Sequence, residues 1–374
     1  MTAPRLDINL AEIEHNARVL VKRLGRRGIS VTGVVKAGLG SPGIAKALLR
    51  AGVGSLGDSR IENIETMRRA RVPAPMMLIR SPMLSQAARV VRQADLSFNT
   101  ELVVIRRLSE AAHQARISHA VVLMVELGDL REGIMPTDLN DTVRAVLGLP
   151  NLCLMGIGGN LACHSGVSPD TTNMAVLSGL ADSVEATFGI DLDLVSGGNS
   201  ANLHWALGGA DTGRVNNLRL GESILLGCEP LYRQPIEGLY HGAITLVAEV
   251  IEAKIKPARA WGTLAQTAFG GARPAGGNGS QSRAILALGC QDIDPSGLIA
   301  PSGIAVLGAS GDHLIIDASD VDLAVGSEIR FGLNYSALVR AMTSPFVAKV
   351  DVSSVRNTAS SSSPAMPRKP ARPL

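Results

Sequence analysis

Aromatic residues, charge of one sign and long hydrophobic runs are all scarce in this sequence. Phe, Trp and Tyr make up 3% of its 374 residues, which disfavours the stacking surfaces that bind single-stranded nucleic acid. The net charge of +3 is too small for a strong electrostatic field toward polyanions. Apolar runs are broken by charge or glycine well before the ~18 residues that a membrane span needs. We therefore expect neither nucleic acid nor a membrane among the partners.

Cysteine is also rare. The four cysteines lie far apart, without a Cys-x-x-Cys pair, at Cys153, Cys163, Cys228 and Cys290. This spacing disfavours a disulfide framework and a structural zinc site, so we expect reduced thiols and no bound metal. The first residues lack a basic region followed by an apolar core, which is the pattern of a secretory signal. These features predict a cytoplasmic protein.

Hydrophobic residues and glycine are abundant, at 46% and 40 residues respectively, and the length allows a large core and two domains. Up to about residue 220, short apolar runs alternate with segments of helical periodicity. Strands are predicted at residues 5–10, 31–35, 54–58, 76–80, 95–99, 119–126, 152–160, 191–195 and 217–220. Helices are predicted at residues 11–24, 44–49, 60–70, 85–93, 101–116, 138–147 and 171–188.

This alternation indicates a parallel sheet covered by helices. About eight repeats without a dinucleotide fingerprint favour a closed TIM-type (β/α)8 barrel over residues 11–230. The alternative is a doubly wound open sheet, whose Gly-x-Gly-x-x-Gly motif is incomplete in this chain. Gly38 and Gly40 are present, but the third glycine and the acidic partner are not where that fold needs them.

After residue 235 the pattern changes to short alternating strands with glycine-rich turns. Strands are predicted at residues 243–254, 262–269, 283–288, 304–307, 313–317 and 328–331, which makes residues 231–352 a mostly β domain. Residues 1–10 are expected to form a strand that packs with this domain. Residues 272–282 are glycine-rich and polar, which predicts an exposed loop or a mobile flap. Residues 353–374, rich in Ser, Pro and basic residues, are expected to form a disordered tail.

A lysine follows one of the buried barrel strands. The valine-rich run at residues 31–35 precedes Lys36, and glycines and Pro42 break the pattern after it. Lys36 therefore lies at the carboxyl end of a strand, the face at which such barrels bind ligands. An amine in a partly dry pocket loses proton affinity and becomes a nucleophile toward carbonyls. The alternative is a lysine that only extends its charged end into water.

Two glycine-containing turns late in the barrel have the features of phosphate sites. In residues 196–200, two glycines allow close backbone approach, and Asn199 or Ser200 caps the following helix. Arg219 and Gly221 repeat this arrangement after the next strand, with Arg219 aimed into the barrel mouth. An ordinary capped turn explains the first segment equally well when it is considered alone. The position of both turns matches the usual phosphate site of TIM-type barrels.

Further polar residues follow the strands in the middle of the barrel. Arg131 comes after the strand at 119–126, and Asn160, Cys163 and His164 come after the next one. Taken alone, Arg131 is explained as a solvated loop arginine, and a single histidine is more often structural than catalytic. Their common location at strand ends makes them site candidates.

Together these motifs resemble those of the fold-type III pyridoxal-phosphate enzymes, the alanine racemase superfamily, and within it the ornithine racemase branch. The resemblance covers nearly the whole chain up to residue 350. It rests on the order and spacing of segments 34–37, 128–133, 156–163, 196–200, 218–222, 287–292 and 333–338. Each segment is weak evidence alone, but the set is specific.

The resemblance implies that Lys36 binds pyridoxal 5'-phosphate covalently as an imine, and that Arg219 donates to the pyridine nitrogen. A guanidinium does not give up its proton there, so the ring is a weaker electron sink than with an aspartate partner. Return of a proton to the α-carbon is then favoured over transamination. The other cofactor contacts that the resemblance implies are Asn160, Asn199, Ser200, Tyr335 and the backbone of Gly221 and Glu222.

In this family a tyrosine from the partner subunit is the base opposite the lysine, and this sequence departs from that pattern. Residues 266–270 place Thr267 at the tyrosine position, and a threonine hydroxyl is a poor base without activation. The catalytic candidates beside the lysine are therefore Thr267 itself and several possible replacements, which the sequence does not rank: Cys290, Asp292, Cys163 and His164.

The resemblance further implies a homodimer with shared active sites that racemises an α-amino acid, most closely ornithine or another basic amino acid. Arg131 or Gln291 would receive the substrate carboxylate, and Glu222, Asp129 or Asp292 would pair with a distal amine. A first alternative keeps the cofactor but uses the lysine alone for one-face chemistry, as in a lyase, an aldolase or a cyclase. A second alternative is a non-catalytic pyridoxal-phosphate carrier.

Overall fold

The computed structural model describes residues 3–270 and 279–352. The tail predicted for residues 353–374 lies outside the described residues, as does most of the loop predicted at residues 272–282. Within the described ranges, no helix combines the length and the hydrophobicity that a membrane span requires.

Eight parallel strands close into a barrel, which confirms the predicted fold class. The first and last of them pair through Gly33 and Leu220, and this pairing closes the sheet. Because all eight strands run in the same direction, their carboxyl ends meet at one mouth of the barrel. Numbered along the chain, the barrel strands are β2 (Ser30–Val34), β3 (Ser55–Asp58), β4 (Met76–Leu78), β5 (Leu96–Asn99), β6 (His119–Met124), β7 (Leu152–Gly158), β8 (Leu194–Ser196) and β9 (Asn217–Leu220).

Helices on the outside of the barrel bury their apolar faces against it. In the first of them, Asn9 caps the helix by accepting from the N–H groups of Ala11 and Glu12, each at 3.2 Å. Its inward residues, such as Ile13 and Leu20, are fully buried. The helices of this layer are α1 (Leu10–Gly25), α2 (Pro42–Arg50), α3 (Ile61–Arg69), α4 (Ala87–Gln93), α5 (Leu102–Ala115), α6 (Leu139–Leu147), α7 (Thr171–Phe188), α8 (Leu203–Leu207) and α9 (Glu222–Leu226).

A second sheet, built mostly from the C-terminal part, carries one strand from the N-terminus. That strand, β1, runs antiparallel to β10 and parallel to β16, so the chain starts in the same sheet in which it ends. The other strands form an antiparallel sheet in the order β12-β15-β10-β11-β14-β13. The strands of this sheet are β1 (Arg5–Ile8), β10 (Ile244–Pro257), β11 (Ser280–Leu286), β12 (Leu298–Ile299), β13 (Ala305–Ala309), β14 (Leu314–Asp317), β15 (Glu328–Leu333) and β16 (Ala348–Asp351).

Three predictions for the second domain were wrong or incomplete. Residues 262–269 form bends, irregular backbone and one turn rather than a strand, and their almost complete exposure means that the alternating side chains have no sheet to pack on. Residues 280–282, expected in a loop, begin β11 and pair with β10. Helix α10 (Tyr335–Thr343) was not predicted, although Asn334 caps it by accepting from the Ala337 N–H at 2.9 Å.

The interior of the barrel carries a chain of buried polar side chains beneath the mouth. The Ser196 hydroxyl donates to Asn217 Oδ1 at 2.7 Å, and the Asn217 amide donates to Thr32 Oγ1 at 3.0 Å. Thr32 in turn is hydrogen-bonded to Ser55 at 2.9 Å. Because buried polar groups are costly unless they are hydrogen-bonded, these bonds hold the four side chains in fixed rotamers. Together they form a rigid layer beneath the residues at the mouth.

Candidate active site

A cavity of about 340 Å³ opens at the mouth of the barrel, at the strand ends where barrels of this type bind ligands. A volume of this size suits a small organic ligand. The predicted site residues that line it are Lys36, Arg131, Asn160, Cys163, Asn199, Ser200, Arg219, Gly221, Glu222 and Tyr335. The sequence reasoning missed two charged residues that also line it, Arg80 and Glu132.

Lys36 lies just beyond β2, at the start of a short 3-10 turn spanning Lys36–Gly38. Burial lowers the pKa of its ammonium group, and the nearby cations Arg131 and Arg219 lower it further. Negative charge on Cys163 and Asp58 acts in the opposite direction. A lowered pKa increases the neutral fraction of the amine, which is the form that attacks carbonyl carbons and accepts protons.

Asp58, at the end of the neighbouring strand β3, was not among the predicted site residues. It is fully buried, and its Oδ1 accepts from the Arg60 N–H at 2.8 Å and the Asn63 amide at 3.0 Å. Oδ2 has no hydrogen-bond partner among the described residues. Burial raises the pKa of this carboxyl to about 6, although Lys36 opposes the effect. The signal available in the sequence was an aspartate that ends a predicted strand, beside the strand that leads to the lysine.

Arg219 is a buried charge held by several acceptors. One terminal nitrogen donates to the Ser196 hydroxyl at 2.5 Å, and the other donates to the Gly159 carbonyl at 2.8 Å and to Asn160 Oδ1 at 3.3 Å. Its guanidinium also lies over the Phe98 ring, 5.0 Å from the centroid. Burial lowers the pKa of Arg219 to about 10, so the group stays protonated at neutral pH. It is therefore a fixed hydrogen-bond donor at the bottom of the cavity.

The turns after β8 and β9 form a polar end of the cavity. The Ser200 and Ser223 hydroxyls lie 3.0 Å apart, and Ser200 also accepts from the Ser223 N–H at 3.2 Å. A side chain at Gly198 would place its Cβ 2.1 Å from Asn202 Oδ1, so this turn requires glycine. The first N–H groups of α9 have no acceptor within the helix. Free N–H groups and hydroxyls are the donors that phosphate oxygens take.

Tyr335 reaches the cavity from the first position of α10, in the second domain. Burial raises the pKa of its hydroxyl to about 12, with a smaller contribution from Glu222. The phenol is therefore protonated at neutral pH and is available as a hydrogen-bond donor beside the polar end of the cavity. This contact also connects the second domain to the barrel mouth.

Asp129, one of the predicted partners of a distal amine, does not line the cavity. Its carboxylate accepts from the N–H groups of Cys163, His164 and Ser165 at 3.2, 3.0 and 3.1 Å. It therefore connects the loop after β6 to the loop after β7, and that role was not foreseen. Arg131, in the loop after β6, pairs with Glu132 through a hydrogen bond of 2.6 Å.

Cys163 is the thiol that lines the cavity. Its sulfur accepts from the Asn160 amide at 3.0 Å and from the Asn199 amide at 3.4 Å. The orientation of the Asn160 amide is fixed, because its oxygen accepts from Arg219. Two amides thus direct N–H groups toward one sulfur atom.

Five further candidates do not line this cavity in their own chain. Thr267 lies in the exposed segment that follows β10, and His164 is exposed in the loop after β7. The backbone N–H groups of Cys290 and Gln291 donate to Ser310 and Gly311 in the second domain. Asp292 is buried there, and its Oδ1 accepts from the Ser344 hydroxyl at 2.7 Å. Sequence reasoning could not separate the four residues of the second domain from the cavity, because their location depends on how that domain folds.

Over residues 3–270 and 279–352, no cluster of His, Cys, Asp and Glu has the composition of a metal site. The arrangement at the mouth is instead that of an amine nucleophile, a buried guanidinium and a donor-rich end, which is typical of an enzyme site.

Residues 8–230 match the N-terminal domain of alanine racemase, which is more than half of the chain. The chain therefore belongs to the alanine racemase family, as the sequence motifs predicted. It is 38% identical to the lysine racemase of Thermotoga maritima, over 94% of this chain and 99% of the relative. It is 36% identical to the ornithine racemase of Acetoanaerobium sticklandii, over 92% and 99% respectively.

A solved structure supports the fold at much lower identity. The alanine racemase of Streptomyces lavendulae matches with a TM-score of 0.73 at 18% identity, over 94% of this chain and 98% of that one. At this identity the likeness concerns the fold, a barrel followed by a β domain. The enzymes of this family use pyridoxal phosphate.

Proposed function

We propose that this protein is a pyridoxal-phosphate-dependent racemase of basic amino acids. The observation that carries the proposal is the meeting of Lys36, Arg219 and a donor-rich turn in one cavity. The relatives that match over almost their whole length are named as racemases of lysine and ornithine. Cavity and relatives thus point to the same reaction.

The residues at the mouth fit the cofactor. Lys36 supplies an amine whose pKa is lowered by burial, and Arg219 supplies a permanent donor for the ring nitrogen. Ser200, the Tyr335 hydroxyl and the start of α9 would hold the phosphate, because these groups donate hydrogen bonds and a phosphate accepts them. When bound, pyridoxal phosphate supplies an aldehyde and an electron-withdrawing ring that acidifies the α-hydrogen of an amino acid.

The residues of this chain then control where protons move. The Lys36 amine, whose pKa is lowered by burial, accepts the α-proton of the substrate on one face. Arg219 keeps its own proton, so it stabilises the ring without becoming an acid. Arg131, at the rim of the cavity, is placed to receive the substrate carboxylate. Racemisation requires a second proton donor on the other face.

Two carboxylates in the cavity support a basic substrate. Glu132 and Glu222 both line it, and a carboxylate is the natural partner of a distal ammonium group. Glu222 is held by Arg233, and burial raises the pKa of Glu222. Glu132, which shares the loop of Arg131, lies nearer to the proposed carboxylate site.

A homodimer is part of the proposal. The segment that follows β10 exposes large apolar side chains, including Trp261 at 81% and Phe269 at 62%. Contiguous exposed apolar surface on a soluble protein marks an interaction site. Thr267 lies in the same segment, so in this proposal a second copy brings it closer to the neighbouring cavity.

The substrate proposal is tested with both enantiomers of lysine, ornithine, norleucine and alanine, followed by chiral chromatography. Norleucine has the length of lysine without the ammonium group, so we expect kcat/KM for lysine to exceed that for norleucine roughly 30-fold, the value of one charged hydrogen bond. Glu132→Gln and Glu222→Gln each test which acid produces this preference, and Glu110→Gln on the exposed face of α5 is the control. Equal use of lysine and norleucine would contradict a basic-substrate site.

One-face chemistry with the same cofactor is the second candidate. The observation that favours it is the location of Thr267 outside the cavity of its own chain. It is tested by following α-deuterium incorporation in D2O from each enantiomer separately. A racemase labels both enantiomers and interconverts them, whereas an enzyme with one proton-transferring group labels one enantiomer without inversion.

A further inference from the structure

We propose that the Cys163 thiol is the second proton-transferring group, acting on the face of the substrate opposite Lys36. This inference rests on the proposed racemase function and names the residue that the function leaves unassigned. Cys163 and Lys36 line the same cavity, and a thiol and an amine are both side chains that transfer protons in enzyme sites.

The fold places the two groups on different sides of the barrel mouth. Lys36 follows β2, whereas Cys163 follows β7, and the shorter path around the closed barrel between them crosses β8 and β9. A ligand that lies over Arg219, on β9, is therefore approached from two directions. Proton delivery to opposite faces of one carbon needs this arrangement.

Hydrogen bonds hold the sulfur of Cys163 in place. The Asn160 and Asn199 amides both donate to it, at 3.0 and 3.4 Å. Arg219 holds the Asn160 oxygen, so the amide presents its nitrogen and not its oxygen to the sulfur. The thiol therefore has a defined position in the cavity, which proton transfer to a bound substrate requires.

The electrostatics of the cavity connect the thiol with the lysine. Burial lowers the pKa of Lys36 and of Arg219, and negative charge on Cys163 opposes that effect at both residues. The charge state of the sulfur is thus felt at both cationic groups of the cavity.

The proton balance of the step is simple. In one direction, the Lys36 amine takes the α-proton and becomes an ammonium, while the thiol of Cys163 gives its S–H proton to the opposite face and becomes a thiolate. In the other direction, the thiolate takes the α-proton and the ammonium gives one. Cys163 is exposed, so water returns both groups to their starting states between turnovers.

The other candidates lack this location. Cys290 and Asp292 belong to the second domain and do not line the cavity, and Asp292 is occupied by Ser344. His164 is exposed and does not line the cavity. Thr267 does not line the cavity of its own chain, and a threonine hydroxyl is a poor base without activation.

The test uses the full chain loaded with pyridoxal phosphate and compares Cys163→Ala, Cys163→Ser and the control Cys153→Ala. Cys153 is an exposed cysteine on β7, the strand that precedes the loop of Cys163, and it does not line the cavity. We expect both Cys163 variants to lose racemisation by about 10²-fold or more. They should still incorporate deuterium into one enantiomer, because Lys36 continues to exchange the proton on its own face. Cys153→Ala should racemise like the parent chain.

A second readout does not depend on turnover. Iodoacetamide labelling followed by peptide mass spectrometry should modify Cys163 faster than Cys153 at pH 7, and bound pyridoxal phosphate with substrate should slow labelling of Cys163 alone. Slower or equal labelling of Cys163 would contradict a reactive thiol in the cavity.

The outcomes separate this inference from the proposed function. Racemisation at the parent rate in both Cys163 variants would overturn the assignment of Cys163 and leave the racemase proposal intact. Loss of exchange with both enantiomers, with the cofactor still attached to Lys36, would also overturn it, because the loss would not be confined to one face. Failure of the parent chain to bind the cofactor would instead refute the proposed function itself.

Discussion

The barrel mouth and the second domain contribute to the site in different ways. The candidates predicted from barrel strands, from Lys36 to Glu222, meet in one cavity, apart from His164 and Asp129. Of the candidates predicted from the second domain, Tyr335 alone lines that cavity among the described residues. Thr267, Cys290, Gln291 and Asp292 lie elsewhere.

The reason is topological. In a closed parallel barrel, every strand ends at the same mouth, so residues that follow strands are brought together whatever their distance in sequence. An antiparallel sheet sends its loops to both ends, and their location depends on packing. The second domain thus supplies one positioned hydroxyl to its own chain and an exposed apolar segment, which the proposed dimer assigns to a second copy.

The largest effect should follow from removing the barrel lysine. Lys36→Ala should lower racemisation about 10⁴-fold or more, because both the attachment of the cofactor and one proton acceptor are lost. Lys46→Ala, an exposed lysine of α2, is the matched control and should be active. Chiral chromatography measures both, and circular dichroism should show the same secondary structure in each variant. A Lys36→Ala variant that still racemises would show that the lysine at the barrel mouth has no greater role in the reaction than a lysine on the surface.

The next largest effect concerns the apolar segment of the second domain. Trp261→Ser should raise the dissociation constant of the dimer about 30-fold, because an exposed tryptophan that becomes buried in an interface commonly contributes about 2 kcal/mol. Sedimentation velocity over a range of concentrations measures this change. If the substitution leaves the dissociation constant unchanged, the chain associates through another surface. The role given to the apolar segment of the second domain would then be wrong.

A buried acid of the second domain should affect stability rather than chemistry. Asp292→Ala should lower the free energy of unfolding by about 2 kcal/mol, because Ser344 and the Gly289 N–H lose their acceptor. Asp312→Ala, at an exposed acid of the same domain, should change it little. Urea unfolding measures both, and kcat per folded protein should be unchanged. A large fall in kcat at unchanged stability would show that Asp292 serves a site.

The smallest effect tests the missed acid of the barrel. The folded-state pKa of Asp58 is raised from 3.8 to about 6 by burial, so the folded protein binds the proton more tightly than the unfolded chain. Stability is therefore lost as pH rises from 3.8 to 6. Asp58→Asn removes this loss, and its stability relative to the parent should increase by about 1 kcal/mol between pH 5 and pH 7. Thermal unfolding at both pH values measures this change in stability. If the stability difference between Asp58→Asn and the parent did not change with pH, the raised pKa of the buried Asp58 carboxyl would be contradicted.

The fold was predictable because its signals are local and repeated. The alternation of apolar runs with helical segments predicted the barrel, and most predicted strands differ from the observed ones only at their ends. Residues 262–269 misled because an alternating pattern also occurs in exposed turns. Helix α10 was missed because Asn334, its cap, follows directly on a strand.

The position of a site residue was predictable where the residue directly follows a barrel strand. It was less predictable where the position depends on contacts with a distant part of the chain. Barrel topology positions Lys36 and Arg219, so the sequence was sufficient to place them at the mouth, and their roles stay predictions. Glu132 was overlooked because its neighbour Arg131 carried the motif. Asp129 was assigned to a substrate amine, whereas three backbone N–H groups of the next loop occupy it. Nothing in the sequence indicates which distant N–H groups will meet a carboxylate.

The central claim is that the lysine after β2 carries pyridoxal phosphate. Its direct test is to reconstitute the purified chain with the cofactor, reduce it with borohydride and map the modified peptide by mass spectrometry. We predict a yellow protein that becomes colourless on reduction, with a single cofactor adduct on Lys36. A colourless reconstituted protein, or an adduct on another lysine with Lys36 unmodified, would contradict the account.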